Sequence, residues 1–146
     1  MKDFDKLFDL EGLKKDISEA SSNEYQDVPT GDYEVRIEKM ELKESSKGDP
    51  MVSIWFKIVA GQFKDSIIFY NQVITKGFQI HINNDLLASF DSGLEIKFES
   101  YAAYDQLLSD IHIAVDGKYE YLLNYGQTAK GFKTYKITDK FTLAQN

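Results

Sequence analysis

Residues 53–57, Ser-Ile-Trp-Phe-Lys, put a tryptophan and a lysine two positions apart. Successive side chains of a strand point to opposite faces. Val52, Ile54, Phe56 and Ile58 therefore share an inner face, and Ser53, Trp55 and Lys57 share the outer one. An indole beside an ammonium on the outside of a sheet is the pairing that single-stranded nucleic acid uses, with bases stacked on the ring and lysines on the phosphates. Each base stacked on an aromatic is worth about 1–3 kcal/mol. The next strand offers two faces, Ile68/Tyr70/Gln72 or Ile67/Phe69/Asn71. Tyr70 and Gln72 are expected outward, because Ile67 and Phe69 make the better core pair. Lys47 lies in the preceding turn, and the closing hairpin adds Tyr121, Tyr125, Lys130 and Lys133, with Lys136, Phe132 and Tyr135 beside them. The plainer reading stands next to this one. Nineteen Phe and Tyr residues in a β-rich chain serve mainly core and cross-strand packing. Lysines along a last hairpin also discourage edge pairing.

These residues need a sheet to hold them. Strand one runs from about Asp32 to Lys43, with Tyr33, Val35 and Ile37 on one face. The apolar phase then moves to Met40 and Leu42, which predicts a β-bulge or strong bend near Glu38–Lys39. ESSKGDP is a turn, strand two covers Met51 to Ala60, and strand three about Ser66 to Ile74. The segment Phe78–Phe90 is expected to be helical, apolar at Phe78, Ile82, Leu86, Leu87 and Phe90, with Asn83 or Asp85 able to cap a second piece. LEIKFES alternates like a short strand, and Tyr104, Leu107, Leu108, Ile111 and Val115 mark one face of a second helix. Two strands around Gly126–Gly131 close the chain as a hairpin. Ahead of strand one, residues 1–30 read as an amphipathic helix (Phe4, Leu7, Phe8, Leu10, Leu13, Ile17) followed by a polar linker, so the domain proper is 31–146. A mainly β fold follows: an OB-fold-like β-barrel with an N-terminal helix and a helical insert between strands three and four.

Composition sets the limits. The 146 residues, 42% hydrophobic, are sufficient for one core without metal or disulfide help. No cysteine is present, which excludes thiolate zinc sites and thiol nucleophiles. No apolar run approaches the roughly 20 residues of a membrane helix, and the acidic amphipathic start is unlike a secretory signal; a soluble intracellular protein is expected. The net charge is −7, unevenly spread: −4 over residues 1–30, −1 over 31–75, −5 over 76–116 and +3 over 117–146. Phosphate affinity follows local potential, so the basic C-terminal end matters more than the total.

Catalysis finds no support in the motifs. His81 and His112 lie in different segments, His81 in an apolar stretch suited to half-buried packing, and neither is part of an HExxH array. No GxxxxGK[ST] cradle is present. Glu95-Ile96-Lys97 has the Glu-x-Lys form that a Mg²⁺ nuclease uses, with Asp85 or Asp91 upstream, but Glu41-Leu42-Lys43 has it too. Alternating charges on exposed strands generate such triplets. No enzyme, cofactor or metal is expected.

The run GDYEVRIEKMELKESSKGDPMVSIWFKIVAGQFKDSIIFYNQV, with FDLEGLKKDI before it and YEYLLNYGQTAKGFKTYKI after it, resembles a phage family known as domain of unknown function 669. The resemblance covers most of the chain. It implies a phage-encoded protein of a replication and recombination gene cluster, an OB-fold binder of single-stranded DNA acting without sequence preference in the cytoplasm of the infected bacterium. Its partners would be single-stranded DNA, phage replication or recombination proteins, and further copies of itself, with no membrane contact. The competing expectation is a protein-interaction factor, or a DNA mimic, working through the acidic stretch Asp85–Asp116.

Overall fold

A computed structural model describes residues 28–144; the expected N-terminal helix and its Phe4, Phe8 and Leu13 stripe lie outside that range. Five antiparallel strands and two helices follow one another as β1 (Gly31–Glu44), β2 (Pro50–Ile58), β3 (Ile67–Val73), α1 (Gly77–Ser89), α2 (Tyr101–Val115), β4 (Tyr119–Gln127) and β5 (Lys133–Thr142). The sheet order is β3-β2-β1-β4-β5. β1 is the central strand. It pairs with β2 through residues Val35–Glu44, and with β4 through residues Gly31–Val35.

The expected bulge is present. Ile37 faces Phe56 and Lys39 faces Trp55, so Glu38 has no opposite number on β2. The extra residue reverses the phase of β1. Val35 and Ile37 are buried before it and Met40 after it, against Ile58, Phe56 and Ile54 of β2. Helix α2 lies over β1, and Nε2 of His112 is 3.3 Å from the carbonyl of Ile37, the last residue before the bulge.

The sheet is open, not the expected closed barrel. Among the described residues no backbone ladder joins the edge strands β3 and β5. Side chains span the gap instead. The Tyr135 hydroxyl of β5 donates to the Phe69 carbonyl of β3 at 2.7 Å, and the Tyr135 ring meets Tyr70 edge-on at 5.0 Å. α1 packs against both edges, so part of the space a direct ladder would close is taken by a helix.

Each helix begins for a local reason. Gln79 Oε1 accepts the backbone N–H groups of Thr75 and Lys76 at the start of α1, and Ser100 Oγ accepts that of Ala103 at the start of α2. These satisfy donors that a helix start leaves without intrahelical partners. α2 buries Tyr104, Leu108, Ile111 and Val115 at helical spacing. α1 departs from expectation. It is one uninterrupted helix, and Asn83 is not a cap but a buried hub. The Tyr70 hydroxyl donates to Asn83 Oδ1 at 2.9 Å, Asn83 Nδ2 donates to the Tyr104 hydroxyl at 2.7 Å, and that hydroxyl donates to Asn84 Oδ1. One amide thus ties β3 and α1 to α2. Phe78 and Ile82, expected in the core, are exposed, because the turn of α1 that reaches the core is the one carrying Asn83, Leu86 and Leu87. His81, expected to be half-buried, is exposed and 3.5 Å from Asp85.

LEIKFES is not a strand. Among the described residues it joins no ladder, and Phe98 packs against Tyr101 at 5.1 Å and Tyr104 at 5.2 Å. The chain turn into this segment is fixed by Asp91, whose backbone is left-handed at φ 55° and whose carboxylate pairs with Lys140 of β5.

Asn83→Ala leaves the buried Tyr70 hydroxyl without its acceptor, at about 1–3 kcal/mol, and takes one of two partners from the Tyr104 hydroxyl, which keeps Asn84; Asn84→Ala removes one contact at a half-buried site and costs less. Urea unfolding of the two variants checks the ranking. The Lys140 hydrogen bond and charge hold the Asp91 carboxyl below the usual carboxylate range. A depressed folded pKa stabilises above the unfolded value of about 3.9 and stops doing so as pH falls through the folded value. Asp91→Asn, which keeps the left-handed turn accessible, is expected to melt below wild type at pH 7 and to converge with it in acid, read from thermal melts across that range.

Candidate nucleic-acid interface

The outer face of β1-β2-β3 carries Trp55 and Lys57, two of the residues singled out from the sequence. The β2–β3 register sets Trp55 opposite Phe69, Ser53 opposite Asn71 and Lys57 opposite Ile67. Trp55 and Phe69 meet edge to face, with centroids 5.3 Å apart and planes at 82°. This arrangement matches the ring quadrupoles and is worth about 0.5–1.5 kcal/mol beyond burial. From β1, the Lys39 ammonium sits 4.8 Å from the Trp55 ring centroid, within cation–π range. Lys39 also reaches Glu41 at 3.4 Å, and Lys57 reaches Asp65 at 3.9 Å. Arg36, paired across the strands with Lys57, holds Glu38 at 3.1 Å. Three cations thus share the face with a pair of aromatic rings, Lys39 in contact with one of them, and each is held by a single exposed carboxylate. Such pairs contribute little in water and exchange readily.

Ser53 lies on this face too, wholly buried, and its Oγ is a buried polar atom without a hydrogen-bond partner among the described residues.

Three of the expected contacts turn to the inner side instead. Tyr70 points inward, 5% exposed, because it is paired with core Ile54, whereas Phe69 is paired with Trp55. The choice between the faces of β3 is decided by register, and the polar Tyr70 hydroxyl is accommodated inside by Asn83. Gln72 follows Tyr70 to the inner face, half-buried, its Nε2 donating to the Val73 carbonyl. Tyr121 is fully buried, donating its hydroxyl to the Phe90 carbonyl at 2.8 Å. Burial raises the phenol pKa of Tyr70 and Tyr121 well above the ordinary value, and that of Tyr135 is pushed up to about 12. All three remain protonated donors at physiological pH.

The remaining residues are at the periphery. Lys47 is exposed in the β1–β2 turn, where Ser45 Oγ accepts the backbone N–H groups of Lys47 and Asp49 and Gly48 takes φ 84°. Lys130 is exposed in the β4–β5 turn, closed by Thr128 N–H to the Phe132 carbonyl at 2.8 Å and by Gly131 at φ 90°. Tyr125 is half-buried against Tyr135, with Lys133 Nζ 5.2 Å from its ring and 3.4 Å from Gln127 Oε1. Two contributors were not legible as candidates. Lys39 reaches Trp55 only because of the bulge, so its signal was the shift in apolar phase between Ile37 and Met40. Phe69 was legible only as one of two faces.

Comparison with known families adds one finding. A family model described as proteins of unknown function (DUF669) matches residues 14–97. The chain belongs to this family. The match spans β1, β2, β3 and α1, and so includes every residue of the Trp55–Phe69 face. No curated protein matches the chain. Among the described residues, no helix is long and apolar enough to cross a membrane, and no cluster of three or more His, Asp or Glu side chains is placed to hold a metal ion. Glu95 and Glu99 of the Glu-x-Lys segment are both paired with Lys97, at 3.8 and 3.0 Å.

The Lys39 contact has a spectroscopic consequence, since Trp55 is the chain's one tryptophan. Lys39→Ala uncovers a face of the indole, so acrylamide is expected to quench its fluorescence more strongly than in the wild type. Tyr70→Phe, changed on the opposite face, leaves the quenching as it was.

Proposed function

We propose that this protein binds single-stranded DNA without strong sequence preference, through the outer face of β1-β2-β3. The observation that carries the reading is the Trp55–Phe69 ring pair with Lys39 over the indole and Lys57 and Arg36 beside it. A base has a π-face whatever its identity, so stacking on such a pair is sequence-tolerant. A base arriving on the Lys39 side of Trp55 displaces the ammonium, which is then free to meet the adjoining phosphate. The strand order, with β1 between β2 and β4 and a helix between β3 and β4, agrees with a partly open OB-fold. In that fold the β2–β3 face and the β1–β2 and β4–β5 loops take the nucleic acid. Lys47 and Lys130 occupy those two loops. The acidic surplus of the chain lies mainly outside this face, and near-neutral residues 31–75 carry it. The role would be to coat and protect strands exposed during phage replication or recombination in the host cytoplasm. The reading requires no cofactor and no bond-breaking step.

Titration with oligo-dT tests it directly. Quenching of Trp55 should saturate and weaken with added salt, since single-strand affinity falls with log salt at a slope of about −0.7 per phosphate neutralised. By anisotropy of a labelled strand, Trp55→Ala and Phe69→Ala should each lose about 5- to 150-fold in affinity, the equivalent of one stacked base. Tyr70→Phe should bind as the wild type. Absence of both quenching and mobility shift with the wild type would overturn the reading and turn attention to a protein partner for the acidic α1–α2 region.

A further inference from the structure

The gap between the two edge strands opens into a groove of about 1090 Å³, walled by β3, β5 and α1. Its lining is unlike ordinary surface. Phe78, Ile82 and Phe132 all project into it while being 63%, 49% and 68% exposed. They are three of the seven large exposed apolar side chains of the described residues, gathered in one place. A contiguous apolar patch of this kind marks a binding surface more often than a tolerated accident. Lys133 and Lys136 line the same groove, and Asp85 of α1 is the one acid among its lining residues. Aromatic rings interleaved with ammonium groups are the composition that suits a strand of bases and phosphates.

The groove is also continuous with the Trp55–Phe69 face. β3 is an edge strand, so its two sides meet at its free edge. Asn71 stands next but one to Phe69 on the outer face, opposite Ser53, and it lines the groove as well. A chain leaving Phe69 has only to pass Asn71 to enter.

We propose that single-stranded DNA bound on the Trp55–Phe69 face crosses the edge of β3 at Asn71 and continues into this groove, where Phe78 and Phe132 stack bases and Lys133 and Lys136 meet phosphates. The inference rests on the single-strand-binding reading and extends it to a second subsite built largely from α1 and β5. Asp85 then acts against binding, placing a carboxylate beside the phosphate path. The site size follows. A strand long enough to occupy both subsites gains affinity that a short one lacks.

The test uses the full chain with oligo-dT of about 5 and about 15 nucleotides, within the span of single OB-fold site sizes. The variants are the double substitution Phe78→Ala/Phe132→Ala, Asp85→Asn, and Ile113→Ala as a control at an equally exposed apolar side chain outside the groove. Thermal melts confirm that these surface changes leave folding intact. The wild type should favour the long strand, and the double variant should lose about tenfold or more of its long-strand affinity while the short strand still quenches Trp55. Asp85→Asn should tighten the long strand alone, and Ile113→Ala should match the wild type. A double variant that keeps full long-strand affinity, with wild-type quenching present, overturns the groove and leaves the outer face standing. A wild type that binds neither strand overturns both.

Discussion

One extra residue in β1 governs the molecule. β1 is the only strand that pairs with two long partners on the two halves of the sheet, β2 and β4. Without Glu38 as an unpaired insertion, the alternation begun by Val35 and Ile37 would carry Lys39 into the core and leave Met40 in water. With it, Met40 meets Ile54 inside and Lys39 meets Trp55 outside. The cost of one disrupted rung and a bend is offset by keeping both ends of a fourteen-residue strand in register with an apolar interior. The same insertion brings a cation to the indole, so the outer face inherits its chemistry from a device whose first effect is on packing.

The second constraint is at the sheet's edges. β3 and β5 approach closely enough for Tyr135 to reach the Phe69 carbonyl, yet they form no ladder. Closure is left to aromatic rings and to α1. α1 is held in turn by a buried amide, since Asn83 satisfies the hydroxyls of Tyr70 and Tyr104 at once. A polar group this deep is costly unless fully partnered, and here each partner comes from a different element. The arrangement therefore specifies where α1 sits. It also leaves the apolar side of α1 that carries Phe78 and Ile82 turned toward the open groove, where no core residue covers it.

These two constraints account for the distribution of the aromatic residues. Those on the inner face, Tyr70 and Tyr121 among them, are packing residues whose hydroxyls are committed to internal acceptors, with Phe90 packed on the Tyr121 ring. Trp55 and Phe69 are half-buried on the outer face, and Phe78 and Phe132 are exposed along the groove that opens beside it. Membership of the DUF669 family attaches no chemistry to the chain by itself. The functional reading therefore depends on that partition and on the lysines that accompany the exposed set.

Much of this was written in the sequence, for a local reason. Strand alternation, helical spacing at Tyr104, Leu108, Ile111 and Val115, and the turn residues around Gly48 and Gly131 all depend on neighbours within a few positions. So does the bulge, because a one-residue slip in apolar phase is visible in the strand itself. The inner and outer faces of β2 were legible on the same ground, and with them Trp55 and Lys57. The face of β3 was not. Ile67/Phe69 and Ile68/Tyr70 are nearly equal in apolar content, and the choice was made by register against β2 and by an Asn83 thirteen residues away that could satisfy a buried phenol. The fate of LEIKFES was equally non-local, since alternation alone makes no strand and here Phe98 packs on Tyr101 and Tyr104 of α2 instead. Whether five strands close or stay open depends on the meeting of β3 with β5, 66 residues apart at Phe69 and Tyr135. Only the tertiary structure decides a contact of that range.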